Sequence, residues 1–398
     1  MKKICSFLIL LVFSFFSINT FSQEKILIKG TVTDESDYEI PYAAVGIIKK
    51  NIGTTSSSEG TFSFLVTVNE LDDFLEISSI GFETYKINVR EYINIKNNKV
   101  VLKEKLTSLS EVVVKSPIFY VKSAQKKLKE NTISSNHQLN MIYRRWSVED
   151  NICRFYIEQY LNIIDRGPSS YVLKSNIQES RKSSEYRFIK NEQKVHAVQY
   201  MEWNNPLRKG LPINSFIWKK IENSSYDGED VIVVEGKEKG KGTEILKLFI
   251  GYDTYKIYKI EMSKIPETGK WLTASYIYKK NSEGKLYLGY HIREWEGASR
   301  TPENVKKALI NSGKKAPNFI PLAYRHEAFV IELIDNKKLF KGFEDMNQMD
   351  MSLYKIPYNE NFWKNISLPA ETNFFKENIS ELESLYGVPI ETQFQYSN

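Results

Sequence analysis

The strict alternation from Thr61 to Val66 constrains this chain more than any other feature. Phe62, Phe64 and Val66 interleave with Thr61, Ser63 and Leu65. A period of two sends alternate side chains to opposite faces, so this stretch reads as a strand with one face in a core. Gly60 supplies the turn residue before it. Related runs occur at Lys29–Asp34, Pro41–Val45, Leu75–Ile80 and Tyr85–Val89, punctuated by Gly53-Thr54-Thr55 and Gly81-Phe82. Short strands at regular spacing predict a small antiparallel sandwich over residues 23–104.

The same residues carry a family resemblance. Gly30-x-Val32-x-Asp34, Pro41-x-Ala43-x-Val45, Gly53-Thr54, Gly60-x-Phe62-x-Phe64 and Ile77-Ser78-x-x-Gly81-Phe82 resemble the carboxypeptidase-regulatory-like domain. The resemblance implies a seven- or eight-stranded, transthyretin-like or Ig-like β-sandwich. Such modules stand at the N-termini of exported proteins of Bacteroidetes-type bacteria, including TonB-dependent receptors. Leu109–Val114 is similar to the segment that follows the module in those receptors and precedes or contains their TonB contact motif. A receptor would continue into a plug and a long barrel, so the resemblance implies the module and not transport.

Residues 1–22 read as an export signal: Lys2 and Lys3, an apolar run from Ile4 to Phe16, and a small-residue site at Thr20-Phe21-Ser22. The run falls short of the roughly 20 residues of a spanning helix. No second stretch is apolar enough to span, so the mature chain is expected to lack a transmembrane segment. Loss of Cys5 with the signal leaves Cys153 alone, which excludes an internal disulfide and a paired-cysteine zinc site. The 55 Lys and Arg stand against 49 Asp and Glu without a basic stripe, which excludes nucleic acid as the expected partner.

Residues 105–131 read as a linker and a helix, with Tyr120, Val121, Ala124 and Leu128 on one face and lysines on the rest. Gln138–Ile164 reads best as a hairpin turning at Glu149-Asp150-Asn151, with a helical reading left open. Asp165–Asn223 is polar and weakly periodic, with Gly167-Pro168 and Gln178–Ser184 marking loops, and lower order is expected there. A meander follows over Val231–Gly236, Glu244–Ile250, Lys256–Glu261, Trp271–Lys279 and Lys285–Trp295, with Ala328–Ile334 and Lys338–Phe343 as extensions. Glu371-Thr372-Asn373 caps a last helix carrying Phe375, Ile379, Leu382 and Tyr386, which Gly387 and Pro389 end. Glu360–Trp363 with Asn365–Pro369 resembles the closing segment of secreted bacterial proteins that begin with the same module. The fold class is α+β, mostly β: a sandwich, then an antiparallel sheet-rich domain over 132–398 with flanking helices.

Chemical motifs are sparse. His291-Ile292-Arg293-Glu294 has the His-x-x-Glu spacing of zinc ligands in metallocarboxypeptidases, so His291 and Glu294 are the metal candidates. They lie in a strand-like alternation, and only His326 follows. His326-Glu327 lacks a second His, no Gly-x-Ser-x-Gly elbow occurs, and Gly236–Lys241 is one residue short of a phosphate loop. No cofactor is implied. Aromatic residues are dense in the second domain, and Trp218, Tyr258, Trp271, Tyr276 and Tyr290 are the candidates for a ligand-binding surface; packing within a sheet is the competing account.

The expected function is a non-enzymatic interaction module of the periplasm or outer-membrane face, with an envelope protein as partner and a role in transport or assembly. A carrier holding a lipid, glycan or other hydrophobic ligand in a half-barrel is the second reading. A degenerate or unrecognised metallo-hydrolase is the third.

Overall fold

The computed structural model describes residues 24–105, 115–189, 196, 204–265, 271–341 and 349–397. The export signal and Leu109–Val114 lie outside the described residues. Seven strands build the N-terminal sandwich: β1 (Ile26–Thr33), β2 (Ala44–Ile47), β3 (Ile52–Thr55), β4 (Thr61–Val66), β5 (Phe74–Ser78), β6 (Tyr85–Asn88) and β7 (Lys99–Val101). One sheet runs β4-β1-β7 and the other β3-β2-β5-β6. Phe62, Phe64 and Val66 are buried between them with Ile28, Val32, Val45, Leu75 and Ile77, as the alternation predicts. Gly30 is obligatory: a Cβ there would meet the Tyr92 hydroxyl at 2.3 Å and the Asn98 carbonyl at 2.4 Å. Tyr92, on the short helix α1 (Val89–Ile93), donates instead to the Lys29 carbonyl at 2.9 Å.

The second domain begins with α2 (Pro117–Asn131), started by Pro117 at its first turn and closed where the Thr132 hydroxyl donates to the Leu128 carbonyl at 2.8 Å. Ten further strands form one antiparallel sheet that curves into a half-barrel. They are β8 (His137–Glu149), β9 (Ile152–Asp165), β10 (Val172–Lys182), β11 (Phe216–Tyr226), β12 (Glu229–Glu238), β13 (Glu244–Gly251), β14 (Ile257–Lys264), β15 (Trp271–Lys280), β16 (Leu286–Arg300) and β17 (Phe319–Ile334). The order is β11-β12-β13-β14-β15-β16-β17-β8-β9-β10. The β8–β9 hairpin turns at Asp150 and Asn151, both at positive φ, the backbone that a tight two-residue hairpin turn requires.

Two expectations are corrected. Gln178–Ser184 is not a loop, since Val172–Lys182 is β10; with the short helix α3 (Pro206–Lys209) and β11 following, the described residues of Asp165–Asn223 supply the two edges of the sheet. Ala328–Ile334 does extend the sheet, as the end of a 16-residue strand. Lys338–Phe343 does not extend the sheet: Lys337–Leu339 is a 3-10 turn, with the Asn336 side chain accepting from the Lys338 N–H at 3.1 Å, and Phe343 lies outside the described residues.

The sheet's two faces are covered differently. Tyr120, Val121, Ala124 and Leu128 of α2 pack onto one face with Leu246, Leu248, Ile260 and Tyr276, hereafter the helix face. The other face receives the sandwich and the C-terminal helices α6 (Asn373–Tyr386) and α7 (Ile390–Tyr396), which follow α4 (Glu303–Asn311) and α5 (Glu360–Lys364). The sandwich joins the half-barrel through its own sheet: Ile52 of β3 pairs with Glu332 of β17, and the Leu333 N–H donates to the Asn51 carbonyl at 3.0 Å. Tyr42 stacks on Tyr290 with ring centroids 5.2 Å apart, and the buried Lys279 ammonium donates to the Thr54 carbonyl.

Burial alone pushes the Lys279 pKa down to about 7. The folded value then lies below that of an exposed lysine, near 10.4, so between the two the unfolded chain binds more protons and stability rises with pH. The expected slope approaches about 1.4 kcal/mol per pH unit between about pH 7 and 10. Lys279→Met removes that slope. Urea unfolding at several pH values across this window, for both proteins, checks it.

Candidate functional site

Cross-strand register fixes which side chains meet. His291 pairs with Ala328 and Glu294 with Arg325. Three residues apart on a strand, His291 and Glu294 project to opposite faces, so the two cannot share a metal ion. His291 lies buried on the helix face, its ring 5.8 Å from Tyr276. The Glu294 carboxylate faces the other way, where it accepts from Arg325 at 3.3 Å and Thr273 at 3.4 Å. Among the described residues no group of three His, Cys, Asp or Glu is placed to hold a metal ion. Cys153 is wholly buried, and burial pushes its thiol far up.

The five aromatic candidates do not share one surface. Trp218 lies flat over Gly236, where a Cβ would come within 2.6 Å of the indole, and donates to the Ile213 carbonyl at 2.9 Å. Tyr276 is in the same packed core beneath α2. Tyr290 is on the opposite face, between Tyr42 and Phe329. Trp271 is half-buried at a strand end and donates to the Glu296 carboxylate. Tyr258 donates to the Glu229 carboxylate and lines a cavity of about 240 Å³ between sheet and sandwich, with Tyr42, Ile80 and Phe249.

A different cluster stands out on the helix face. Arg293 of β16, His326 of β17 and Arg145 of β8 are direct cross-strand partners in one row. His196 lies against the row, its ring 5.1 Å from His326 and 4.6 Å from Tyr324. Tyr143 packs edge-on to His326 at 5.8 Å. Arg145 donates through Nη1 to Asp350 at 2.9 Å, and Asp350 also accepts from the Ser352 N–H at 2.8 Å and hydroxyl at 2.7 Å. Arg145 Nε and Nη2, His326 Nδ1, both His196 nitrogens and Gln159 Oε1 are buried with no hydrogen-bond partner. Of this group only His326 was singled out by the sequence. The Arg144-Arg145 pair inside an apolar strand was the available signal for the rest.

The electrostatics follow from burial. Burial, reinforced by the neighbouring arginines, holds His326 and His196 well below the ordinary imidazole range, so both are neutral at neutral pH. Burial also acts to raise the Asp350 carboxyl, but Arg145 and the Ser352 donors outweigh it and hold it below the usual carboxylate range. The row therefore offers N–H donors and positive charge, with Asp350 as the counter-charge bonded to Arg145. It contains no paired nucleophile and base.

Asp350→Asn leaves the Arg145 guanidinium charged and uncompensated in the interior, and is expected to cost about 3–5 kcal/mol. The folded-state Asp350 value is depressed, so this contribution is present at neutral pH and is lost as pH falls through that folded value. Urea unfolding at pH 7 should show the cost. Replacing both partners, Arg145→Met with Asp350→Leu, should recover much of it.

Comparison with known proteins bears mainly on the N-terminal module. No curated protein matches the chain. Among solved structures, a domain described as an outer membrane lipoprotein-sorting protein from Vibrio parahaemolyticus aligns at 9% identity and TM-score 0.31, covering 56% of this chain and 94% of its own. A LolA superfamily protein from Nitrosomonas europaea aligns at 13% and 0.26, covering 56% and 97%. A DUF1329 family protein from Desulfovibrio piger aligns at 9% and 0.26, covering 57% and 96%. The family model of the CarboxypepD_reg-like domain matches residues 28–114, and the N-terminal sandwich is a domain of that kind.

Proposed function

We propose that this chain is a non-enzymatic binding protein of the cell envelope that takes a ligand on the helix face of its half-barrel. The observation that carries the reading is the set of buried polar atoms around Arg145, His196 and His326 that find no protein partner. Buried donors and acceptors are nearly always satisfied, because an unpaired one costs its full desolvation. A bound molecule supplies the missing partners. The N-terminal export signal and the regulatory-like module support an envelope location. The split of His291 from Glu294 across the sheet speaks against the hydrolase.

The adapter reading has its own observation. Between β4 of the sandwich and the segment around Trp363 runs an open cleft of about 1070 Å³, with Lys29, Phe62, Lys364 and Leu368 among its walls. A partner chain could be gripped there, while beneath α2 the sheet is covered by packed apolar side chains.

Native mass spectrometry of the mature protein, purified gently from the envelope of its own host, separates the two. A reproducible small-molecule adduct is expected. A shift equal to the mass of another protein would favour the adapter, and a clean unliganded mass would overturn the ligand-binding reading.

A further inference from the structure

The row of Arg293, His326 and Arg145 has a chemical preference. Adjacent strands stand about 4.8 Å apart, so the three side chains rise from one face within about 10 Å, a span set by two such spacings. The middle member presents an unpartnered ring nitrogen, and Arg145 presents two unpartnered guanidinium nitrogens. His196 closes over them. Among the described residues Asp350 is the carboxylate bonded to the row, and it is already engaged by Arg145 and Ser352. Among the described residues, half-buried Arg293 has neither a hydrogen bond nor an ion pair.

Resting on the function proposed above, we infer that this row is an anion site for a carboxylate or phosphate group of the ligand. A guanidinium presents parallel N–H donors that match two oxygens of such a group, and the flanking histidines donate one N–H each when neutral. A neutral or cationic group would leave the positive charge of the row unanswered in a buried setting. The anion belongs either to the head of an amphiphile or to a free ion, and both present the same oxygens.

The test uses the mature chain at pH 7 with three probes: inorganic phosphate, palmitate and uncharged monopalmitoylglycerol, read by titration calorimetry. Binding of phosphate or palmitate is expected, with the uncharged lipid at least tenfold weaker. Palmitate binding tighter than phosphate identifies an amphiphile; phosphate binding alone identifies a free anion. Arg293→Gln, at a half-exposed position, should keep the melting temperature of the free protein and weaken anion binding at least tenfold. His326→Gln should weaken it as well, and Arg293→Lys should restore part of what Arg293→Gln loses. Equal binding of palmitate and the uncharged lipid, unchanged in Arg293→Gln, would overturn the anion site and leave the ligand-binding function standing. Absence of binding to all three probes would overturn the anion site, while the host-derived adduct decides the function independently.

Discussion

Strand β17 is the constraint on which the arrangement of this protein depends. Its first eleven residues pair with β16, nearly its whole length pairs with β8, and its last turnless stretch, past Phe329, is free of β16 and open to β3 of the sandwich. One strand therefore joins the two arms of the half-barrel and carries the N-terminal module. A register shift between Val330 and Glu332 marks the place where the third partner enters. Bulges of this kind bend a strand and re-aim its edge. The hydrogen-bonded joint, the Tyr42–Tyr290 stack and the buried Lys279 make the regulatory-like module a wall of the second domain.

The sequence showed the strands that keep one face in a core and hid those at the sheet's margins. Thr61–Val66 alternates cleanly because its two faces meet different media. β10 and β11 are edge strands, pairing only with β9 and β12, and their sequences are rich in Lys, Glu, Ser and Asn. Such residues blunt an exposed edge, and they also erase the hydrophobic signal. The first half of β17 was lost for another reason: Pro321 sits inside it, and proline in a run argues against a strand. Here its carbonyl accepts from the Asp150 N–H of the neighbouring hairpin turn at 3.0 Å.

The candidate site was less legible, because it is assembled by register. His-x-x-Glu is a helical spacing, and on a strand it separates the pair that a metal site would need to converge. Arg144 and Arg145 could be seen as unusual, but their partners could not. Counting back from the Asp150-Asn151 turn places Arg144 opposite Ile157. A bulge between Ser147 and Val148 moves the pairing by one, to Glu158, and that slip turns an unexplained buried charge into an ion pair at 2.6 Å. Asp350, the partner of Arg145, comes from a segment 205 residues away. No local pattern announces it.

The two arginines also show why the faces of the sheet differ. Arg144 shares Glu158 with Arg181, and beside them Arg325 lies between Glu327 and Glu294, so that three guanidinium groups meet three carboxylates. Burial acts to raise the Glu158 carboxyl, yet Arg181 and Arg144 hold it below the usual range. Charge on this face is balanced internally, and the C-terminal helix completes it by laying Phe375 on Arg144 and Phe374 on Arg325. On the helix face, Asp350 pairs with Arg145, half-buried Arg293 has no ion pair among the described residues, and His326 and His196 beside them are neutral. A buried polar network that is fully satisfied rigidifies and specifies one structure. The same adjacent pair of residues thus serves both faces: Arg144 fastens the fold from one side of β8, and one residue later Arg145 faces the other side and meets Asp350.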